Sequence, residues 1–352
     1  MSKAARWNEG KIHMGYLYSG DRSLDTARKL IPGGIAFRPI VEDLIGGSIE
    51  SHMSRGDDIY LAHARSVVDA ESMSRYFNSV SDLAAVVGGV KIRAIHLSRS
   101  ELSKITENPE IVEGFRIPER SVNTNWLADR MAERVKSERF IDLRCNCLVT
   151  SLSKDAGRWR VITQSGNCDG FDVVINALWE GRSAIDTGVD PSLAESLSYR
   201  YRVALFMQVP VTDIDNVVIA TGPFGDIKNY DGRHLYLSWY PAGLLLDRYQ
   251  QNAPAPPTID DRLKQQILHA TIAGLGDYFP AVLDFPRTAQ QVSVAGGWVV
   301  ARGKGLLSDP AATLHRRDEI GIRRDDGYYS IETGKYSVAP WLASQVADEI
   351  AG

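Results

Sequence analysis

The chain has 352 residues, of which 44% are apolar and 24% charged, and its formal net charge is -4. This length allows two domains, or one large α/β body with an inserted sheet. Because there is no basic excess, the composition argues against a nucleic-acid partner. The first residues contain no apolar stretch typical of a targeting peptide, and no segment approaches the roughly 18 apolar residues of a membrane span. We therefore predict a cytoplasmic protein.

The N-terminal segment is dense in polar residues and glycine. From Arg6 to Tyr16 it reads Arg-Trp-Asn-Glu-Gly-Lys-Ile-His-Met-Gly-Tyr, and Ser23-Leu24 follows soon after. This cluster is typical of the middle of a cofactor-binding domain. The strand, glycine turn and helix that usually receive a dinucleotide do not precede it. We expect a chain that carries a functional site and lacks the first part of its nucleotide-binding unit.

The first half of the chain is predicted to be mainly helical. Residues 23–31 have a helical pattern that is interrupted at Pro32-Gly33-Gly34, and Thr124 is predicted to be the N-cap of a later helix. The remaining elements predicted here are a strand at 59–64 and a helix at 69–87.

The second half contains most of the predicted strands. Residues 141–152 and 159–163 are expected to form a hairpin, and the apolar run 171–177 is typical of a covered strand. From His234 to Tyr240, apolar and polar residues alternate. This alternation predicts a sheet with one packed face and one face toward a cavity or solvent. A helix is expected at 338–350.

Several familiar site types are excluded. The sequence has no Gly-x-Ser-x-Gly and no His-Glu-x-x-His, and its seven histidines are scattered, so we predict no metal site. The glycines of residues 296–305 do not have the spacing of a phosphate-binding loop. The three cysteines Cys145, Cys147 and Cys168 are predicted to be free thiols, because their spacing fits neither a redox nor a zinc motif.

Three segments indicate one kind of chemistry: the opening cluster, residues 173–182 and residues 333–342. Each combines a strand or turn with small residues, which let the backbone approach a planar ligand. The third segment leads into a helix, whose N-terminus presents free N–H groups and partial positive charge. These features suit the electron-rich N1/C2 edge of a reduced flavin.

In order and spacing, the three segments resemble those of FAD-dependent oxidoreductases of the D-amino-acid oxidase superfamily, over nearly the whole chain. The opening Gly10-Lys11-Ile12-His13-Met14-Gly15 is also similar to the flavin-side stretch of 2-hydroxyglutarate and FAD-dependent glycerol-3-phosphate dehydrogenases. The superfamily's Gly-x-Gly-x-x-Gly turn is not found before Arg6.

The resemblance implies FAD as the cofactor, bound by residues of all three segments. The implied cofactor-binding residues are Arg6, Trp7, Asn8, Glu9, Gly10 and Lys11 in the first, Ala177, Leu178, Trp179 and Gly181 in the second, and Thr333, Gly334, Lys335, Tyr336 and Ser337 in the third.

Two residues are candidates for catalysis. His13 could remove a proton from a substrate hydroxyl group, because imidazole accepts protons near neutral pH, or it could only hydrogen-bond the backbone or the cofactor. Arg302, with Lys304 beside it, could bind a substrate carboxylate, or it could belong to a solvated basic loop. Tyr236, Trp239 and Tyr240 could form a wall of the substrate cavity or pack in the core.

We therefore predict an α/β flavoprotein fold of the FAD/NAD(P)-binding type that lacks its first βαβ segment and carries an inserted mixed β-sheet. The predicted FAD-binding domain comprises residues 1–50, 115–190 and 291–352, and the substrate domain comprises 51–114 and 191–290. The implied activity is dehydrogenation of a small amino acid or 2-hydroxy acid by hydride transfer to flavin N5. The alternative is a non-catalytic remnant or binding module without FAD. The oligomeric state stays open.

Overall fold

A computed structural model describes residues 3–21 and 23–352, with the backbone alone described for 167–169. The α-helices of the described residues are α1 Asp25–Ile45, α2 Ala70–Gly88, α3 Arg99–Ile105, α4 Thr124–Ser137, α5 Arg182–Val189, α6 Tyr240–Gly243, α7 Asp261–Gly276, α8 Phe285–Thr288 and α9 Ala339–Ala351. Among these residues, no helix is both long enough and apolar enough to cross a membrane. Cys145 and Cys147 are free thiols, and the side chain of Cys168 lies outside the described part.

The strands form one large sheet and two small ones. They are β1 Asp58–His63, β2 Ile95–His96, β3 Ile111–Ile117, β4 Val149–Asp155, β5 Arg158–Thr163, β6 Gly166–Phe171, β7 Val174–Asn176, β8 Leu197–Gln208, β9 Val217–Ala220, β10 Gly225–Asn229, β11 His234–Trp239, β12 Leu244–Gln250, β13 Gln291–Ala301, β14 Gly321–Asp325 and β15 Tyr328–Glu332. The large sheet has the order β12-β8-β11-β10-β9-β1-β3-β2, and β13 also pairs with β8. The small sheets have the orders β14-β15-β7 and β4-β5-β6.

The two faces of the large sheet differ in chemistry, as the alternation in residues 234–240 predicts. Leu205, Leu237 and Ile227 point to one face, where they pack with residues of α7 such as Leu275. Their sequence neighbours point to the opposite face, because successive side chains of a strand alternate. That second face carries most of the polar and charged residues of the sheet, and it is the face toward the opening segment.

Helices cover the second face and enclose the opening segment. Met14 and Tyr16 pack in one cluster with Leu30 of α1, Phe77 of α2 and Leu342 of α9. The opening segment therefore lies between the sheet and the helices, and its polar side chains are buried.

Helix α1 is continuous through Pro32, Gly33 and Gly34, so the predicted interruption is wrong. The two glycines allow close packing: a Cβ on Gly34 would lie 2.4 Å from the His13 carbonyl oxygen, and one on Gly33 would lie 3.0 Å from Val338 Cα. Tertiary packing of α1 outweighs the local preference of the Pro-Gly-Gly sequence to end a helix.

Other predicted helix and strand boundaries also differ from those in the structure. The N-cap of α4 is Asn123 rather than Thr124, whose hydroxyl instead donates to the carbonyls of Arg6 at 2.6 Å and Asn8 at 3.0 Å. The predicted strand 141–152 begins only at Val149, and the apolar run 171–177 contains the three-residue strand β7. In contrast, the β4–β5 hairpin and the helices near 69–87 and 338–350 form as predicted.

The proposed domain limits at residues 115 and 291 fall on strands of the large sheet. Residue 115 lies inside β3, which pairs with β1, and residue 291 begins β13, which pairs with β8 along its whole length. The division into a cofactor part and a substrate part stays a prediction.

We predict that Gly10→Ala destabilises the protein by roughly 1–3 kcal/mol. Gly10 has φ +65°, and a Cβ there would lie 1.9 Å from the Val122 carbonyl oxygen. The matched control is Gly47→Ala, where a Cβ would meet nothing within 4 Å and φ is not positive. Urea unfolding of both variants checks this: equal stability of the two would contradict the tight docking of the opening segment.

Candidate active site

The backbone of the opening segment is fixed against residues 120–122. Lys11 forms an antiparallel bridge with Ser121, the Ile12 N–H donates to the Arg120 carbonyl at 2.9 Å, and the Val122 N–H donates to the Gly10 carbonyl at 2.9 Å. This short ladder directs Glu9, Lys11 and His13 toward the interior.

His13 joins the first and third predicted segments. Its backbone N–H donates to the Ser337 hydroxyl at 3.1 Å, across 324 residues of sequence. The side chain is buried, neither ring nitrogen has a hydrogen-bond partner among the described residues, and Nε2 lies 3.8 Å from Glu9 Oε1. Burial, helped by the charges of Lys335 and Lys11, lowers the pKa of His13 to about 3. The imidazole is therefore neutral at physiological pH.

The third segment forms the turn between β15 and α9. Gly334 has φ +60°, Lys335 places its ammonium 5.4 Å from the centre of the Tyr18 ring, and Tyr336 packs against Phe37. The turn brings the N-terminus of α9 close to the opening segment, as the sequence analysis predicts for these two regions.

A cavity of about 170 Å³ lies between the opening segment, the turn and the second face of the large sheet. Its lining includes five basic side chains, Lys11, Arg200, Arg202, Arg317 and Lys335, but only two carboxylates, Glu9 and Asp226. Tyr236 and Tyr240 also line the cavity, whereas Trp239 packs on the opposite face of the sheet. The cavity is small compared with the roughly 300–1,000 Å³ of typical sites for drug-sized ligands.

None of the three cavity arginines has a carboxylate within 4.0 Å among the described residues, and Arg202 donates to the Ser238 hydroxyl at 2.8 Å. Arg200 is 3% exposed and donates to the Tyr240 hydroxyl at 3.3 Å, while its Nε has no partner. Arg317 donates to the Val300 carbonyl at 3.1 Å. Burial, together with the charge of Arg200, lowers the pKa of Arg317 to about 10. The buried guanidinium group of Arg200 and the half-buried one of Arg317, neither with a counter-ion, form a site suited to an anion.

Behind the cavity, Asp58 forms ion pairs with two buried lysines. Lys11 Nζ lies 2.8 Å and Lys228 Nζ 2.7 Å from Asp58 Oδ2. Lys11 also donates to the Tyr60 hydroxyl at 2.9 Å, and Tyr60 donates to Glu119 at 2.7 Å. This network connects the opening segment to β1 and β10.

Arg302 lies apart from His13 and does not line this cavity. It pairs with Glu195 at 2.5 Å and with Glu319 at 3.3 Å, on the side of the molecule where β13 ends. Lys304 likewise lies in the loop after β13. The structure thus offers Arg200 and Arg317, not Arg302, to an anion in the cavity.

Other predicted cofactor residues of the first and third segments do not line the cavity, and their contacts are with the surrounding protein. Arg6 pairs with Asp129, Trp7 packs on Phe206 with ring centres 5.1 Å apart, and Asn8 accepts from the Gly10 N–H at 2.8 Å. Thr333 and Ser337 belong to the turn after β15.

The second predicted segment contains β7, and its predicted cofactor residues follow this strand and do not line the cavity. Trp179 has φ +52° and donates from its indole to the Trp298 carbonyl at 2.7 Å, and Lys3 pairs with Glu180 at 2.9 Å. Ala177, Leu178 and Gly181 do not line the cavity, so the structure does not bring this segment together with His13.

Four cavity residues were not predicted from the sequence: Arg200, Arg202, Asp226 and Arg317. A signal was present for the first two: in Tyr199-Arg200-Tyr201-Arg202 the two arginines alternate with tyrosines, which places them on one face of a strand. No such signal identifies Arg317, which reaches the cavity from a loop.

No protein-family model matches the chain, and no curated protein sequence matches it either. Solved structures with a similar fold include the glycine oxidase of Geobacillus kaustophilus, which is 15% identical with a TM-score of 0.66, over 99% of this chain and 84% of that one. The iminodiacetate oxidase of Chelativorans sp. BNC1 is 16% identical with a TM-score of 0.65, over 100% and 86%.

A third is the FAD-bound L-alpha-glycerophosphate oxidase of Mycoplasma pneumoniae, which is 14% identical with a TM-score of 0.62, over 98% and 84%. At such identities the likeness establishes the fold and not the activity. It confirms the predicted fold class, a mixed α/β flavoprotein fold with a large mixed sheet.

We predict that His13 makes the protein sensitive to acid. Below pH 6.5 an unfolded chain protonates this histidine, whereas the folded chain does so only near pH 3, so stability falls as pH falls through this window. Between pH 6.5 and 5 the loss due to His13 is about 2 kcal/mol. Urea unfolding at both pH values measures the free energy of unfolding. Its decrease from pH 6.5 to pH 5 should be smaller in His13→Gln than in the wild type by this amount. The exposed His269→Gln variant is the control, and an unchanged loss in His13→Gln would contradict the neutral, buried imidazole.

Proposed function

We propose that the protein is a FAD-dependent oxidoreductase that dehydrogenates a small amino acid or 2-hydroxy acid. The observation that carries this proposal is the cavity where the opening segment meets the Thr333–Ser337 turn, with the unpaired guanidinium groups of Arg200 and Arg317 in its wall. The fold shared with oxidases of glycine, iminodiacetate and glycerophosphate, all small anionic or zwitterionic compounds, supports the same conclusion.

The residues around His13 fit a flavin. Both ring nitrogens of His13 are buried without a partner, which is costly unless a bound group supplies hydrogen bonds. The charge of Lys335 acts on the His13 ring, and Ser337, just before α9, accepts from the His13 backbone N–H; an ammonium group and a helix N-terminus both favour negative charge. FAD bound there would accept the hydride of the substrate at N5. We propose that the opening segment and residues 333–337 hold it, while the contribution of Ala177, Leu178, Trp179 and Gly181 stays a prediction.

The substrate carboxylate is proposed to bind Arg200 and Arg317. A guanidinium group can bind a carboxylate through two parallel hydrogen bonds, and a carboxylate would compensate the two charges. The Tyr240 hydroxyl, already bonded to Arg200, would hold that arginine in place. Arg200 is held by strand β8, whereas Arg317 reaches the site from the loop before β14.

For His13 we propose a hydrogen-bonding role toward the cofactor rather than the role of a base. A histidine with a pKa of about 3 is neutral, but its conjugate acid is too strong for the neutral ring to remove a hydroxyl proton effectively. Its two free nitrogens are suited to bind polar edges of a ligand.

A second candidate function is a substrate-binding module without FAD. It is favoured by one observation: the cavity of about 170 Å³ has the size of a small molecule rather than of a dinucleotide. The cytoplasmic location inferred from the sequence also stays a prediction.

Flavin binding and reduction distinguish the two functions. The purified full-length protein is incubated with FAD, freed of excess cofactor and scanned for flavin absorbance. Small amino acids and 2-hydroxy acids are then added without oxygen. The oxidoreductase proposal expects a yellow protein whose flavin absorbance is lost with at least one of these substrates. A colourless protein that still binds carboxylic acids would support the binding module.

We predict that Arg200→Gln and Arg317→Gln each raise KM for the substrate by roughly 10- to 100-fold, because each removes a charge-assisted hydrogen bond to the carboxylate. Arg302→Gln is expected to change KM by less than about threefold, since Arg302 pairs with Glu195 and Glu319 outside the cavity. Steady-state kinetics of the three variants test this. A large effect confined to Arg302→Gln would restore the sequence-based assignment.

A further inference from the structure

Asp226 is a cavity carboxylate that forms no ion pair among the described residues. It belongs to β10, lines the cavity, and has no hydrogen bond and no ion pair within 4.0 Å. The other carboxylates of this region are engaged: Asp58 binds two lysines, and Glu9 lies beside His13 and near Lys335. Burial raises the pKa of Asp226 above the ordinary range, although Lys228 opposes this effect.

The position of Asp226 complements that of the arginines. Asp226 is directly opposite Ser238 of β11, and the Ser238 hydroxyl accepts from Arg202 Nη2 at 2.8 Å. Arg202 and Arg200 are two residues apart on β8 and therefore point to the same face. The cavity wall thus carries an unpaired carboxylate, that of Asp226 on β10, and the unpaired guanidinium groups of Arg200 on β8 and of Arg317.

We infer that Asp226 binds the ammonium group of the substrate and removes its proton, so that the cavity takes an amino acid rather than a 2-hydroxy acid. This inference rests on the proposed function and decides between its two substrate classes. An ammonium group gives Asp226 a cationic hydrogen-bond partner, whereas with a hydroxyl group the carboxylate has only the electrostatic influence of Lys228, Arg202 and Lys11, none of which is hydrogen-bonded to it.

The proton transfer prepares the amine for oxidation. One N–H bond of the ammonium group breaks, an O–H bond forms on an Asp226 carboxylate oxygen, and the electron pair of the broken bond stays on nitrogen. This lone pair can then stabilise the carbon that loses hydride to FAD. A carboxylate whose pKa is raised by burial accepts a proton more readily than an ordinary aspartate.

The first test measures binding preference with matched probes. Thermal shift and calorimetry on the purified full-length protein compare glycine with glycolate, and each enantiomer of alanine with the corresponding lactate. The wild type is expected to bind the amino compound of a pair at least 10-fold more tightly, and Asp226→Asn is expected to lose this preference while it still binds the hydroxy acid. Asp226→Glu, which retains a carboxylate, should keep part of the preference.

The control variant is Asp215→Asn. Asp215 is an exposed carboxylate in the loop before β9, and it does not line the cavity. It should behave as the wild type does. If Asp226→Asn keeps the amino preference, or the wild type has none, the inference is overturned. Because binding does not need turnover, failure of flavin reduction would overturn the proposed function separately.

The pH profile supplies the second test. In the wild type, kcat/KM for the amino acid should fall as pH drops through the pKa of Asp226, and this acid limb should disappear in Asp226→Asn. An unchanged acid limb in the variant would contradict proton removal by Asp226. The charged and titratable groups that face Asp226 and set its pKa are Glu9 and Lys11 of the opening segment, Arg202 of β8, Tyr236 of β11 and Lys228 of its own strand.

Discussion

The ion pairs of Asp58 fix the site to the fold. Asp58 is fully buried and binds Lys11 from the opening segment and Lys228 from β10 through one carboxylate oxygen. Removing one partner of a buried pair leaves an uncompensated charge, which costs about 3–5 kcal/mol. The position of Lys11 therefore cannot vary much, and with it the positions of Glu9 and His13 on either side are set. Burial lowers the pKa of Lys228 to about 8, although Asp58 raises it.

The two-faced sheet explains how a charged cavity can exist inside the protein. Packing of leucine and isoleucine residues against α7 stabilises one face. The other face is then free to carry arginine, aspartate and tyrosine residues, whose burial is unfavourable by itself. The excess of cations in the cavity is consistent with an anionic ligand, and the unpaired Asp226 is consistent with a cationic group on the same ligand. These opposite features lie close together because β8, β11 and β10 are neighbours in the sheet.

Sequence patterns predicted the features that depend on local order. The alternation at 234–240 correctly indicated a sheet with a packed face and a cavity face, and the helix predicted at 69–87 and the β4–β5 hairpin form as predicted. Patterns were less successful where packing overrides local preference. Helix α1 passes through Pro32-Gly33-Gly34 because its glycines contact the opening segment and the start of α9. The strand predicted from residue 141 starts at Val149, where its partner β5 is available.

The sequence by itself determined the fold class and indicated that the opening Gly-Lys-Ile-His segment and the C-terminal Thr-Gly-Lys turn belong to one site. Only the tertiary structure decided which charged groups face the cavity. Arg302 was a reasonable carboxylate ligand by sequence, but Glu195 and Glu319 approach it in space and neutralise it. Arg200, Arg317 and Asp226 are distant in sequence and ordinary in composition. Their importance comes from the absence of ion pairs in the described structure, which depends on long-range packing rather than on neighbouring residues.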